Sequence, residues 1–241
     1  MLTQCLGEFF GTMMLIILGN GAVASSLLTK SKGHQAGWVA ITTGWFIAVV
    51  MGVFVAQSVG SPNADINPAI SVAKFCWHSY SLSQTAFFIL AQITGAFVGA
   101  VLVWLAYLPH WKETEETHLK LMVFSTQPAI RSYPYNLLSE AIATAVLVLG
   151  VAAIFGKAIT GSPVSGLGPY LVGALVWGIG LSLGGPTGYA INPARDLGPR
   201  IAHAILPISG KGSSDWLYAW VPVLGPILGG LFGAWVWHSI P

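Results

Sequence analysis

Long apolar runs alternate with short polar segments along most of the chain, and six runs predict membrane-spanning helices. A helix needs about 20 residues to cross the roughly 30 Å of hydrocarbon in a bilayer. The predicted spans cover residues 6–28, 37–59, 85–108, 137–155, 169–183 and 217–237. The connections between them are brief except for residues 109–134, a charged segment near the midpoint of the chain that is predicted to be a polar loop.

Composition supports the same class of protein. Of the 241 residues, 54% are hydrophobic and 7% are charged, whereas a soluble domain carries about 25% charged residues. The net charge of +2 and the lack of a basic cluster argue against a nucleic-acid partner. The N-terminus has no basic segment before its first apolar run and contains Glu8, so we expect that run to be retained as a span rather than removed as a signal peptide.

Two interruptions of the apolar pattern share one short motif. Asparagine is a preferred helix N-cap residue, and proline is favoured at the first helical position, so Asn-Pro-Ala predicts the start of a helix. Glycine- and proline-containing segments precede both copies, and irregular backbone at membrane depth survives only when it is buried in protein or lines a watery cavity. Each asparagine alone could simply cap a helix, but the pair favours a pore or binding site. The two copies are Asn67-Pro68-Ala69 and Asn192-Pro193-Ala194.

The two halves of the chain repeat each other. Glu8 precedes Thr12 by four residues in the first span, as Glu140 precedes Thr144 in the fourth. Three spans per half is an odd number, so the second half must have inverted topology. The predicted half-helix 68–77 would be roughly 15 Å long at about 1.5 Å per residue, half of a bilayer. We therefore expect two reentrant half-helices that meet at their N-termini, within one domain of inverted repeats covering about residues 1–120 and 121–241.

Three features of the chain together resemble the aquaporin (major intrinsic protein) family. They are the paired Asn-Pro-Ala motifs in inverted halves, a glutamate in the first span of each half, and Arg195-Asp196 after the second motif. Residues 184–200 are similar to its glycerol-facilitator subgroup. The resemblance implies an all-α membrane protein with six transmembrane helices and two half-helices in a right-handed bundle. It also implies a multi-pass homotetramer of the cell membrane, surrounded by lipid. The sequence has no cluster of His, Cys or Glu with metal-ligand spacing and no nucleophile elbow, P-loop or dinucleotide fingerprint, so we expect no cofactor, no metal, no catalytic residue and no enzymatic activity.

The resemblance assigns a selectivity filter to Trp45, Gly180, Tyr189 and Arg195. Gly180 would leave room for the solute, and Trp45 and Tyr189 would offer aromatic faces to the carbon chain of a polyol. Arg195 would bind the hydroxyl groups of the polyol and repel cations. Water-selective members carry histidine at the position of Gly180 and a smaller residue at that of Tyr189. Trp45 could instead be an interfacial tryptophan, and Arg195 could be held only by loop carbonyl groups.

The remaining candidate residues would shape the pore. Asn67 and Asn192 would hold the oxygen of a passing molecule, while the positive ends of two helix dipoles oppose protons and cations. Glu8 and Glu140 are predicted to accept backbone N–H groups of the loops, with a proton relay as the alternative. Asp196 and Arg200, four residues apart, could pair on the second half-helix. Asp65 stands where the family usually has histidine.

The sequence therefore favours a passive channel for glycerol and other small neutral solutes, with water also passing and protons and ions excluded. A mainly water-selective channel is the first alternative, followed by an ion-coupled transporter and a non-conducting membrane protein. The resemblance places the N-terminus in the cytoplasm, although the distribution of basic residues favours the opposite orientation. That orientation leaves two lysines inside, Lys74 and Lys157, and six basic residues outside: Lys30, Lys32, Lys112, Lys120, Arg131 and Lys211.

Overall fold

The computed structural model describes residues 1–156 and 167–240. Within these residues it contains ten α-helices and no β-strand. They are α1 (Leu2–Leu27), α2 (Gly37–Val59), α3 (Pro68–Cys76), α4 (Leu82–Ala106), α5 (Leu108–Glu113), α6 (Thr117–Phe124), α7 (Tyr133–Ile154), α8 (Leu167–Leu183), α9 (Pro193–Ile205) and α10 (Val221–Ser239).

Each of the six predicted spans coincides with a helix. Among the described residues, α1, α2, α4, α7 and α10 are long and apolar enough to cross a membrane. The apolar helix α8 has 17 residues and begins next to the part of the chain that is not described. Large apolar side chains, such as Leu90, Leu102 and Phe232, are exposed on the outer faces of these helices. The prediction of an all-α membrane protein is confirmed.

The helices pack in two matching sets. Helix α1 packs against α2 and α4, and α7 packs against α8 and α10 in the same way. Close approach requires residues without a side chain, because a Cβ atom at Gly95 of α4 would collide with the Phe9 carbonyl of α1, and one at Gly229 of α10 with the Ala141 carbonyl of α7. Each half-helix contacts the third span of the other set, α3 on α10 and α9 on α4. This exchange joins the two halves into one bundle.

Both half-helices begin at the Asn-Pro-Ala motifs. The side chain of Asn67 accepts a hydrogen bond from the Ala69 N–H at 2.9 Å, and that of Asn192 accepts one from the Ala194 N–H at 3.0 Å. Helix α3 has nine residues and ends at Cys76, so Trp77 is its C-cap rather than its last helical residue. At about 1.5 Å per residue, α3 reaches roughly halfway through a bilayer.

The segment 109–134 is not the purely polar loop that its charges predict. It forms the short helices α5 and α6, and its apolar residues Trp111, Val123 and Phe124 are almost completely buried. The segment packs against the bundle because these few apolar residues are buried, although charged residues dominate its sequence. This difference matters because α6 ends beside the candidate pore.

Two lysines of the connecting segments, Lys120 and Lys211, are bound to backbone carbonyl groups. Lys120 is 3% exposed and donates to the carbonyls of Ser209 and Gly210, and burial lowers the pKa of its ammonium group. Lys211 donates to three carbonyls near the C-terminus of α9, where a cation also complements the helix dipole. These charges are part of the fold rather than free loop charges. Lys157 lies outside the described residues.

Candidate pore and its constriction

The two half-helices meet through their asparagine side chains. Nδ2 of Asn67 donates to the Ile191 carbonyl at 2.8 Å, and Nδ2 of Asn192 donates to the Ile66 carbonyl at the same distance. A side-chain amide has two N–H donors, and within the described residues each asparagine uses only one of them. Both residues line the same cavity, so the second donor is available to a molecule in that cavity.

The loops that lead into the two motifs have the same unusual backbone. In the first loop, Ala64 and Ile66 have φ angles of 42° and 43°, and in the second, Tyr189 and Ile191 have φ angles of 39° and 44°. Left-handed conformations are unfavourable for residues other than glycine, most of all for β-branched isoleucine. Such residues persist only where the surrounding structure enforces them.

Two buried glutamates enforce this backbone. Glu8 accepts the N–H groups of Asp65 and Ile66 at 3.0 and 2.7 Å. Glu140 accepts those of Ala190 and Ile191, both at 2.9 Å. Both carboxyl groups are completely buried. The structure therefore places each glutamate of the first and fourth spans against the loop of its own half.

Two cavities lie end to end along the candidate pore. The larger has a volume of about 530 Å³ and passes both asparagines to reach Lys74, Trp77 and His238. The smaller, of about 40 Å³, lies on the other side, beside α6. Of the residues that the structure describes, three line both cavities, namely Trp45, Tyr189 and Arg195. These three residues therefore form the constriction between the two cavities.

Arg195 combines an aromatic contact with spare donors. Its Cζ lies 4.3 Å from the centroid of the Trp45 ring, within the range of a cation–π interaction. Its Nη1 donates to the Phe124 carbonyl at 3.3 Å. A guanidinium group has five N–H donors, and this carbonyl is the only acceptor that the described residues give it. The other N–H groups of Arg195 have no acceptor among the described residues.

Gly180 lies behind Tyr189 rather than at the surface of either cavity. A Cβ atom at position 180 would be 2.7 Å from Cζ of Tyr189 and 2.9 Å from its hydroxyl oxygen. The tyrosine ring thus occupies the space that a side chain at position 180 would need. Trp38 supports this arrangement, since its ring meets Tyr189 edge-on at 5.8 Å and its Nε1 donates to the Gly180 carbonyl at 3.0 Å.

The Asp196 carboxylate ties the second half-helix to the outer segments. It accepts Nε and Nη2 of Arg200 at 2.8 and 3.0 Å and also binds the backbone N–H and hydroxyl group of Thr126 at 2.8 Å. Arg200 donates further to the carbonyls of Thr126 and Ser214. Since Thr126 follows α6 closely, this network holds α6 beside Arg195.

Asp65 forms a polar cluster on the wall of the larger cavity. Its carboxylate pairs with Lys74 and accepts from the hydroxyl groups of Ser71 and Tyr80 at 2.8 and 3.3 Å. Its side chain is fully buried, while that of Lys74 is 32% exposed. The charge of Asp65, the residue that departs from the family pattern, is thus neutralised by a lysine of the first half-helix.

Sequence reasoning missed two residues of the constriction. The Phe124 carbonyl is a backbone group, so no residue type signals its role. Trp38 lies near a span end, where a tryptophan is typical of the membrane interface, whereas the structure places it against Tyr189 and Gly180. A tryptophan at a span end carries the same sequence signal in both situations.

Comparison with known proteins agrees with this geometry. The family model described as major intrinsic protein matches residues 1–237. The chain is 57% identical to the probable glycerol uptake facilitator protein of Thermotoga maritima over 95% of both chains. It is 51% identical to the glycerol uptake facilitator protein of Bacillus subtilis, over 96% of this chain and 82% of that protein.

The fold is similar to a solved structure as well. The X-ray structure of the aquaglyceroporin from Plasmodium falciparum superimposes with a TM-score of 0.87 at 28% identity, covering 99% of this chain and 96% of the other. The half-helices, the reciprocal hydrogen bonds between their loops and the match over almost the entire length lead to one conclusion. This chain belongs to the major intrinsic protein family.

Proposed function

We propose that the chain is a passive channel for glycerol and similar small polyols, with water also passing and protons and ions excluded. The observation that carries this proposal is the constriction, at which two aromatic side chains, Trp45 and Tyr189, lie beside the guanidinium group of Arg195. Proteins of this family are multi-pass channels of the cell membrane and not enzymes. The names of the relatives from Thermotoga maritima and Bacillus subtilis support glycerol as the solute.

The chemistry of the constriction suits a polyol. Glycerol has an apolar carbon side and a row of hydroxyl groups, and it must shed most of its hydration water to pass. The rings of Trp45 and Tyr189 offer apolar surface to its CH and CH2 groups. The free N–H groups of Arg195 replace water at its hydroxyl groups, and a cation is repelled by the same fixed charge.

Proton exclusion is assigned to the meeting point of the half-helices. Asn67 and Asn192 each have one free N–H donor there, and the N-termini of α3 and α9 add partial positive charge. A water molecule at this point accepts hydrogen bonds from both asparagines, so its oxygen cannot also accept one from a neighbouring water. It can only donate to the waters on either side. Both the interrupted water file and the positive potential oppose proton transfer.

The supporting residues act through the loops. Glu8 and Glu140 hold the strained backbone that precedes the asparagines, and Asp196 and Arg200 hold α9 and its flanking loop. We assign the chain to one channel domain of two inverted repeats, about residues 1–120 and 121–241. In the bilayer it forms a homotetramer. The exposed apolar faces of the spans then contact lipid on the outside and neighbouring subunits on the inside.

A mainly water-selective channel is the alternative. Its constriction needs a small opening ringed by polar groups, with histidine in the place of Gly180. Here the space in front of Gly180 holds the ring of Tyr189, so the wall is aromatic on two sides. This arrangement favours a solute with carbon atoms over water alone.

Stopped-flow light scattering on proteoliposomes tests the proposal. Vesicles that contain the protein should equilibrate glycerol much faster than protein-free vesicles, and a panel with urea, dihydroxyacetone and lactic acid ranks the solutes. Replacement of Arg195 by alanine should loosen discrimination against ions and larger solutes. Glycerol flux equal to that of empty vesicles, with water flux retained, would establish the water-selective alternative instead.

A further inference from the structure

The indole ring of Trp45 rests directly on the backbone of α1. A Cβ atom at Gly19 would lie 2.5 Å from Cη2 of this ring, and nearer still to Cζ3 and Cε3. Non-bonded carbon atoms approach to about 3.5–4.0 Å, so no larger residue at position 19 is compatible with the present position of the ring. The missing side chain of Gly19 is what lets Trp45 lie so close to α1.

Trp45 has little room in other directions. It is 5% exposed, and Cζ of Arg195 lies 4.3 Å from its ring centroid. The empty space beside it belongs to the two cavities that it lines. A ring pushed away from α1 therefore moves into the passage.

We propose that Gly19 is a positioning residue that determines the specificity of the channel, by setting how far Trp45 withdraws from the constriction. This inference rests on the proposed function, because the position of Trp45 matters only if solutes pass between it, Tyr189 and Arg195. Gly19 is buried and lines neither cavity, so it acts through Trp45. Each aromatic residue of the constriction is then backed by a glycine of a neighbouring helix, Trp45 by Gly19 of α1 and Tyr189 by Gly180 of α8.

The test is Gly19→Ala, with glycerol and water permeability measured on the same proteoliposomes. The added methyl group should reduce glycerol permeability about tenfold, the effect of a barrier higher by about 1.4 kcal/mol. Water permeability should fall less, because a water molecule is smaller than glycerol and still passes through a narrower opening. The matched control is Gly21→Ala on the same helix, where an added Cβ atom meets no other atom within 4 Å. That variant should behave as wild type.

A second substitution separates the position of the ring from a folding defect. Phenylalanine at position 45 lacks the outer carbon atoms of the indole that collide with a side chain at position 19. Relative to Trp45→Phe alone, the double variant Gly19→Ala/Trp45→Phe should therefore show little further change in the ratio of glycerol to water permeability. A merely structural role of Gly19 would give the same loss in both backgrounds.

Each outcome is decisive. If wild-type vesicles conduct no glycerol, the proposed function fails whatever the variants do. If wild type conducts glycerol and Gly19→Ala has the wild-type ratio, the role of Gly19 is refuted while the proposed function stands. A loss of both permeabilities in Gly19→Ala that Trp45→Phe does not relieve also refutes it, and relief by Trp45→Phe supports it.

Discussion

Asn67 and Asn192 make equivalent hydrogen bonds across the meeting point of the half-helices, each reaching the carbonyl that precedes the other at 2.8 Å. Each side chain also caps its own helix through its oxygen. Only a group with both an acceptor and a donor can do the two things at once, and a neutral amide is such a group. An aspartate would keep the cap and lose the cross-link.

The first prediction concerns Asn192→Asp. The carboxylate can still cap α9, but it cannot donate to the Ile66 carbonyl, and it places a negative charge between two positive helix ends. We expect proton leak to rise about tenfold or more, because the removed barrier is worth at least about 1.4 kcal/mol. A pH-sensitive dye inside proteoliposomes, read under an imposed potential, measures it.

Asn63→Asp is the matched control for that variant. Asn63 lines the same cavity and donates to the Tyr80 hydroxyl group at 3.0 Å, away from the half-helix contact. It receives the same change of charge, and its proton leak should stay at the wild-type level. Equal leak in the two variants would show that the asparagine pair does not control proton exclusion.

The half-helices were predictable because their signals are local. An N-cap asparagine followed by proline specifies a helix start within three residues, and both starts lie at the predicted positions. The backbone before them was not predictable in the same way. Ile66 and Ile191 are residue types that avoid positive φ angles, and they adopt them only because Glu8 and Glu140 bind the loops from distant spans.

The constriction shows the same limit. Family resemblance brought Trp45, Gly180, Tyr189 and Arg195 together, but it gave no information on which residue stands behind which. That order depends on ring positions, which follow from the space left by glycines on other helices. The charge pattern likewise did not predict helix α6 or its burial, because the few apolar residues that pack against the bundle lie in a segment with many charged ones.

The second prediction follows from the packing of Gly180 against Tyr189. Gly180→His alone should displace the tyrosine ring and reduce both permeabilities, since even a Cβ atom would be 2.7 Å from Cζ. Adding Tyr189→Ala vacates that space and removes one aromatic wall, and alanine already adopts a similar positive φ angle at Ala64 in the first loop. We expect the double variant to recover water permeability while its glycerol-to-water ratio stays about tenfold below wild type, measured by stopped-flow light scattering.

Gly178, two residues before Gly180, serves as the control for that series. Gly178 lies on the same helix, and a Cβ atom there meets no other atom within 4 Å. Gly178→Ala should leave the ratio unchanged, whereas Gly180→Ala should lower it. An unaltered ratio in the Gly180→His/Tyr189→Ala variant would place the selectivity filter elsewhere.

The third prediction concerns the ion pair of Asp65 and Lys74. Lys74→Met removes the cation and leaves a fully buried carboxylate with two hydroxyl donors. We expect the free energy of unfolding in detergent to fall by about 1–3 kcal/mol. The double variant Asp65→Asn/Lys74→Met should recover part of this loss, because it buries no charge.

The Lys30–Glu113 pair provides the comparison for Lys74. Its side chains are 71% and 39% exposed, and an exposed ion pair contributes about 0–1 kcal/mol. Lys30→Met should therefore change stability much less than Lys74→Met. If the two variants unfold alike, the cluster around Asp65 does not stabilise the first half-helix.

The last prediction compares two arginine–aspartate pairs that differ in burial. Arg200 and Asp196 are fully buried, whereas the Arg131 side chain is 44% exposed in its pair with Asp215. Arg200→Lys keeps the positive charge but cannot reproduce the fork of bonds to Asp196, Thr126 and Ser214, and a buried group that loses its hydrogen-bond partner destabilises by about 1–3 kcal/mol. Arg131→Lys should alter stability by at most about 1 kcal/mol. Denaturation in detergent measures the stability of both variants. Because the Arg200 network also holds α6 beside Arg195, the exclusion of ions should weaken in Arg200→Lys but not in Arg131→Lys. Similar stability of the two variants would mean that the buried network does not anchor the second half-helix.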